Sequence, residues 1–400
     1  MVFDALFLQL GYNATLVAIG AALLGLAAGV AGTFLFLRKR ALVSDAISHA
    51  TLPGIALAFM VMVALGGDGR NLAGLLLGAS AAAGLGLLCV SYLSNKTRLG
   101  EDAAIGAVLS VFFGFGVVLL TVIQAIGTGQ QAGLDSFLLG STAGMLRSDA
   151  TLIAVSAALT LALVLLMRRS LTIAAFDPGF AEVTGQNPRR AEMILMAVVL
   201  AVTVVGLKIV GLILIVALLI IPPVAARFWT ERSDRVVWIS GIIGGISGYV
   251  GAAISAVAPH LPTGPIIVLC AFALFSVSFL LAPERGVLAS VLRHLRFRRD
   301  VHLRQGLLAL AQGQPIFESL TLRLLHKNGL AGRDGVATAD GRVRAAQALR
   351  DEARWREVRG DPAFERAAAR YDGLTDISTI LTTDQLTEID RRLSGETGRA

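Results

Sequence analysis

The sequence predicts an all-α polytopic membrane protein of about nine spans, followed by a small cytoplasmic domain of mixed α/β type. Three observations lead there. The 400 residues are 55% hydrophobic, with a mean hydropathy of +0.72, well outside ordinary soluble composition. The apolar residues gather into runs long enough to cross a bilayer. Charge is partitioned as well: residues 283–400 carry 36 Asp, Glu, Lys and Arg among 118, against 27 among the 282 before them. The expected organisation is a membrane domain over 1–282, a basic linker over 283–300 and a soluble domain over 301–400.

Nine segments satisfy the length and polarity requirements, roughly 14–37, 46–65, 72–93, 103–125, 150–167, 191–207, 209–226, 236–258 and 264–282. Within them only His49 and Glu192 can carry charge. The sixth and seventh are short and nearly continuous across Lys208, so they read as a tight hairpin or as one broken pair, which would lower the count to eight. With the N-terminus outside, Arg38, Lys39, Arg40, Lys96, Arg98, Arg168, Arg169, Arg189, Arg190, Arg227, Arg232 and Arg235 all fall on the cytoplasmic side. Only Arg70, Arg147 and Lys208 fall opposite. That asymmetry predicts an outer N-terminus and a cytoplasmic C-terminus.

The formal charge of +7 needs no nucleic acid to explain it, because the basic residues border apolar segments or belong to the tail. The two cysteines, Cys89 and Cys270, lie inside apolar runs and imply no disulfide framework. Met1 to Tyr12 has neither a basic n-region nor a small-residue cleavage site, so no cleavable signal peptide is expected. Gly25 and Gly29, Gly74 and Gly78, Gly241 and Gly245, and Gly244 and Gly248 are spaced for close helix packing. Residues 127–149 read as an outer loop with a re-entrant piece around Phe137 to Gly140. Arg293 to Arg299 forms a basic stretch suited to anionic lipid at the membrane face.

Asp45 and His49 stand one helical turn apart in Ser44-Asp45-Ala46-Ile47-Ser48-His49. A carboxylate and an imidazole at i and i+4 share one helix face, within reach of a single cation. Ionisable groups in an apolar span are costly and usually functional. Two readings stand at this point: a cation pair, or an Asp45 N-cap on the second span that pairs with His49. Oxygen and imidazole donors suit Zn²⁺, Mn²⁺ or Fe²⁺ without choosing among them. Two ligands also suit a passage that must release its ion, so the metal is expected as cargo, with no permanently bound cofactor.

A second constellation is Phe176, Asp177, Pro178, Gly179, Phe180, Ala181 and, four residues on, Gly185. Asp at the N-cap, Pro at N1 and Gly at the end specify a cytoplasmic helix of about two turns. Such a helix suits a groove in a partner protein, or merely connects two spans. Enzymatic machinery is thin. No Gly-x-x-x-x-Gly-Lys-Ser/Thr phosphate loop and no His-Glu-x-x-His motif occur. Gly245-Ile246-Ser247-Gly248 matches a short intramembrane-protease signature, but its one later membrane-side base, His260, reads as a surface loop, and helix packing explains the glycines better.

Arg38-Lys39-Arg40 through Asp45-Ala46-Ile47-Ser48-His49-Ala50-x-x-Pro53-Gly54 resembles the membrane permeases of ABC importers for zinc, manganese and iron. Glu101 to Gly106, the Phe176-Asp177-Pro178 loop, Val210-Gly211-Leu212 through Ile221-Pro222, and Leu261-Pro262-Thr263-Gly264-Pro265 match in order. Together they span residues 10–282. The resemblance implies a bacterial plasma-membrane permease without ATPase activity of its own. It also implies a second permease copy or paralogue as partner, cytoplasmic ATP-binding subunits and an extracytoplasmic metal-binding protein. It makes 176–185 the helix that meets the ATPase, and Asp45 and His49 contacts for the passing Mn²⁺, Zn²⁺ or Fe²⁺. Asp102 reads as a helix cap.

The tail departs from the usual permease, which ends soon after its last span. Leu322 to Leu330, then Gly335 to Arg342, reads helix, short β-ribbon, helix, and is similar to the winged-helix region of metal-dependent repressors. Ala348 to Trp355 echoes their His-Arg-x-x-Glu stretch without the histidine. Nucleic acid is expected as a partner only through this tail. The rival functions are a secondary transporter, for which Glu192 is the one intramembrane carboxylate, and a membrane-tethered regulator acting through residues 300–360.

Overall fold

The structure is a computed structural model that describes residues 11–67, 69, 71–126, 145–257 and 261–396. The expectations for the start of the chain, Arg70, the Phe137–Gly140 piece and His260 lie outside these residues, as does the side chain of Lys208. The chain divides into two units, Met1–Ala289 and Ser290–Ala400.

The first unit is built of long helices: α1 (Tyr12–Leu37), α2 (Ala41–Ala64), α3 (Leu72–Lys96), α4 (Glu101–Ile126) and α5 (Arg147–Phe176). The short α6 (Pro178–Val183) follows, then α7 (Pro188–Val210), α8 (Leu212–Trp229), α9 (Ser233–Ser255) and α10 (Thr263–Leu281). Eight of these are long and apolar enough to cross a membrane, and α8 is a shorter apolar ninth. Its 18 residues reach about 27 Å, close to a hydrocarbon core. In contrast, α5 runs for 30 residues, about 45 Å. Its last turns, with Arg168 and Arg169, therefore extend past the apolar run expected at 150–167.

Glycine contacts fix the packing around α1, which is buried over most of its length. A Cβ on Gly25 would collide with the carbonyl of Gly244, and one on Gly244 with the carbonyl of Gly25. Further along, Gly29 lies against the Ser240 carbonyl and Gly248 against that of Ala21. The Ser240 hydroxyl donates to the Gly29 carbonyl at 2.7 Å, bonding α9 to α1 one turn from the Gly25–Gly244 contact. Gly32 meets the Leu219 carbonyl, which Pro223 deprives of its usual i+4 amide. Small residues let helices approach closely where apolar burial gives no net drive toward association.

These contacts also order the passes. Positions rise along α1 as their partners fall along α9, so the two helices are antiparallel. Gly20 near the start of α1 meets Met145 and Ile153 at the start of α5. At the other end of α1, Arg38 pairs with Glu192 on α7. Helix α7 therefore starts at the end where α1 finishes. Since α9 also starts there, α8 must return to it, and the sixth and seventh apolar segments are two passes. They turn at Gly211, whose φ of +84° lies in the region glycine favours. Arg285 after α10 donates through Nε to Glu231 before α9 at 3.1 Å, closing the last hairpin at the same end. Helices α3, α4, α5 and α10 form the outer layer and expose most of their surface.

The second unit contains most of α11 (Val287–Ala311), then α12 (Ser319–Lys327), α13 (Ala339–Gly360), the one-turn α14 (Glu365–Ala368) and α15 (Thr383–Glu396). The basic stretch 293–299 is an exposed part of continuous α11. Among the described residues the tail has no strand, which corrects the expected α/β winged-helix domain. The ribbon reduces to one antiparallel bridge, Ala331 to Ala337. Five residues separate its halves, and Thr338 already caps α13 by accepting from Gly341 N, so no length remains for two paired strands. Trp355, Val358, Ile377 and Ile389 form a buried core, with Trp355 Nε1 donating to the Thr375 carbonyl at 3.2 Å. Arg354 forks onto Asp390 with two bonds of 2.7 Å.

Two predictions follow from this packing. Gly244→Val forces α1 and α9 apart and should destabilise the bundle by about 3 kcal/mol or more. Loss of the monodisperse peak in detergent size-exclusion would show it, and an unchanged profile would contradict it. In the tail, four carboxyls are held below their ordinary range. The Ala363 amide and Arg392 hold Asp361. The amides of Thr375 and Leu374 hold Asp372, the Ser378 amide holds Asp376, and Arg354 holds Asp390. Asp351 moves the other way, raised by burial and by Asp376. Depressed carboxyls stabilise above their unfolded pKa of about 4 and lose that contribution as pH falls through the folded values. The tail should therefore unfold on acidification below about pH 4, as read by Trp355 fluorescence in a Trp229→Phe/Trp238→Phe background.

Candidate metal pathway and partner-docking helix

Helix α2 begins earlier than its apolar run suggests, because α1 ends in a compact turn. Arg40 N donates to the Leu35 carbonyl and Lys39 N to that of Phe36, a Schellman arrangement that normally places glycine at its left-handed position. Here Lys39 occupies it at φ +59°. Three residues thus join α1 to α2, and Arg40 holds the N-cap position of α2. Asp45 lies in the second turn, which corrects the reading of it as an N-cap.

His49 Nε2 and Asp45 Oδ1 are 3.4 Å apart, longer than a well-formed hydrogen bond. The side chains keep 20% and 34% of their surface respectively. The other polar residues of α2, Ser44, Ser48 and Thr51, are buried. Their hydroxyls donate to α2's own carbonyls, those of Ala41, Ser44 and Ser48. Among the polar residues of this helix, only the carboxylate and the imidazole therefore reach the surface, and they share one face. The Phe113 ring on α4 stands nearly perpendicular to the imidazole, with centroids 4.9 Å apart, while His49 Nδ1 is buried without a hydrogen-bond partner. Pro53 has no N–H to give the His49 carbonyl, so another oxygen lacks its usual helical donor beside the pair. Among the described residues no group of three or more His, Cys, Asp and Glu could hold a metal ion. The pair can lend a cation one oxygen and one nitrogen, and further ligands must come from elsewhere. Counting from Arg40, His49 lies about 14 Å up the helix.

A cluster of ion pairs lies below it. Glu192 accepts from Arg38 Nη2 at 3.2 Å through Oε2 and from Arg40 Nη1 through Oε1. Arg40 Nε also lies 2.7 Å from Glu101 on α4. Sequence reasoning marked Glu192 as an intramembrane carboxylate but found no partner, since Arg38 and Arg40 lie more than 150 positions away. Asp102 is exposed in the first turn of α4.

Helix α6 forms as its residues dictate. The Asp177 carboxylate accepts from Phe180 N at 2.9 Å, Pro178 occupies N1, and Gly185 terminates it at φ +76°. Ala181 is fully buried, whereas Phe176, Phe180 and Val183 expose 63%, 54% and 87% of their surface. Ser247, of the protease-like tetrapeptide, is buried and donates to the Ile243 carbonyl at 2.7 Å, and Gly248 packs on α1.

Residues 12–282 match the model of the ABC 3 transport family. The chain belongs to that family. It is 42% identical over 309 residues to the manganese transport system membrane protein MntC of Bacillus subtilis, covering 77% of this chain and 70% of that protein. It is 39% identical over 285 residues to the zinc transport system membrane protein TroC of Treponema pallidum, covering 71% and 94%. Among solved structures it resembles PsaBC from Streptococcus pneumoniae in complex with Fab, with a TM-score of 0.62, 28% identity, and coverage of 74% of this chain and all of that one. The family match ends at residue 282, at the close of the last membrane pass, and leaves the tail outside.

Asp177→Ala removes the cap of α6 and should loosen it by about 1 kcal/mol. Hydrogen exchange at the Phe180 amide should accelerate accordingly, and unchanged protection would show that the cap does not hold the helix.

Proposed function

We propose that this chain is the membrane permease of an ABC importer that carries a divalent transition-metal ion, manganese or zinc, into a bacterial cytoplasm past Asp45 and His49. The observation that carries the reading is the isolation of this pair. In a family of transport permeases, the only polar side chains of α2 that reach its surface are an oxygen and a nitrogen donor on one face, within an apolar span. The metal is cargo, and no resident cofactor enters the reading. Manganese and zinc are the ions named for the relatives, and iron, which the same donors admit, has no such support.

The basic end of the bundle, where Arg38, Arg40, Arg189, Arg190 and Arg232 lie, faces the cytoplasm by the positive-inside rule. The N-terminus is then outside, and the tail emerges into the cytoplasm. On that side α6 offers Phe180 and Val183, with Phe176 exposed at the end of α5 just before it, to the groove of a separate ATP-binding subunit. The permease hydrolyses no ATP itself. A second copy or a paralogue would complete the pathway by facing the exposed side of α2, and an extracytoplasmic binding protein would deliver the ion at the opposite end.

The secondary-transporter alternative is disfavoured by the family match, and the carboxylate it called on, Glu192, is engaged by two arginines at a helix end. The tethered-regulator alternative rests on a tail whose wing is a single bridge, and a nucleic-acid partner has no support.

Asp45→Ala and His49→Ala should each abolish metal uptake into proteoliposomes while leaving expression and complex assembly unchanged. Wild-type uptake in both variants would remove the pair from the pathway. Phe180→Asp should leave the permease folded but stop it co-purifying with its ATPase, and undiminished recovery of the ATPase would place that contact elsewhere.

A further inference from the structure

The cluster around Glu192 joins three features otherwise treated separately: the partner-docking helix, a strained turn and the metal pair. From α6 the backbone is stiff. Gln186 N donates to the Ala181 carbonyl and Gly185 N to that of Glu182, a Schellman termination. Asn187 then caps α7 by accepting from Arg190 N at 3.1 Å. Glu192 follows five residues later. Its two carboxylate oxygens take different arginines of the α1–α2 turn, Arg38 and Arg40. Arg40 is also the first residue before α2, and Asp45 lies five residues beyond it.

The clamp is half-buried, with Arg38 only 11% exposed and Glu192 31%, so water weakens it less than a surface pair. The turn that it grips keeps a non-glycine residue in the left-handed region, which costs about 1–2 kcal/mol and persists where surrounding structure holds it. Arg40 reaches Glu101 at the same time, so the N-terminal ends of α2, α4 and α7 meet at one arginine.

We propose that Glu192 is a positioning residue that couples the partner-docking helix to the metal pair. Through Arg38 and Arg40 it carries displacement of α6 and the start of α7 into the N-terminal end of α2, and so into Asp45 and His49. The inference rests on the reading of α6 as the ATPase contact. A chain of short, discrete bonds between stiff elements is a physical route for such coupling, beyond mere proximity.

The test uses the permease with its ATPase and binding protein in proteoliposomes, with Mn²⁺ as the probe. In Glu192→Gln, Mn²⁺ moved per ATP hydrolysed should fall by about tenfold while hydrolysis stays within about twofold of wild type. A spin-label pair at Leu42→Cys and Leu269→Cys, in a Cys89→Ala/Cys270→Ala background, should lose its nucleotide-dependent distance change. Arg40→Gln/Glu192→Gln should lose less than the two single losses combined, because the variants share the Arg40–Glu192 bond while each also breaks one of its own. Glu192→Asp should recover part of the ratio.

Wild-type transport per ATP in Glu192→Gln, or an α2 distance that still follows nucleotide, would overturn the proposal. If Glu192→Gln fails to assemble, Arg38→Gln and Arg40→Gln reach the same bonds from the other helix and carry the same expectation. A wild-type complex that moves no Mn²⁺, yet shows an α2 shift that Glu192→Gln abolishes, would sink the metal reading and leave the clamp standing.

Discussion

The close approach of α1 and α9 is the contact on which the rest of the bundle depends. Gly25 and Gly244 leave each other no room for a side chain, and Ser240 bonds across to the Gly29 carbonyl one turn away. In lipid, association of helices cannot draw on burial of apolar surface, so it rests on packing and on such bonds. With α1 fixed, its far end receives α5 and its charged end receives α7. The order of passes then follows, and with it the placement of α6 at the same end as Arg38 and Arg40. A looser α1–α9 contact would leave both the ion-pair cluster and the α2 start without a frame.

Within this frame, polarity is allocated sparingly. Hydroxyls on α2 are turned back onto its carbonyls, and Glu192 is held by arginines. Asp45 and His49 alone among the polar residues of α2 remain at its surface, with an imidazole nitrogen lacking a partner and a carbonyl freed by Pro53. Buried polar atoms left in this state are costly unless something else meets them. In the function proposed above, a passing cation would meet them transiently, and a site with few ligands would let the ion go.

Much of this was legible in the sequence, for identifiable reasons. Uncharged runs of about twenty residues mark bilayer passes, and the i, i+4 spacing of Asp45 and His49 survives any small error in where the helix begins. The Asp177-Pro178 start and the Gly185 stop specify α6 by local chemistry alone. Boundaries were less legible. Helix α2 begins at Ala41 because a lysine, with no glycine to signal it, takes the left-handed position of the turn, and α5 continues to Phe176 because a helix leaving the membrane tolerates Arg168 and Arg169. The clamp on Glu192 was beyond reach, since no local pattern joins residues so far apart in the chain. The expected wing failed because a turn rich in glycine and charge, closed by the Thr338 cap, reads as a ribbon in one dimension and leaves no length for one in three.

The central claim is that a transported metal ion touches Asp45 and His49. X-ray absorption at the manganese edge, on the purified permease complex loaded with Mn²⁺, tests it most directly. The account predicts an oxygen and nitrogen coordination shell with one imidazole contribution that disappears in His49→Ala. A spectrum without imidazole, or one that His49→Ala leaves unchanged, would contradict it.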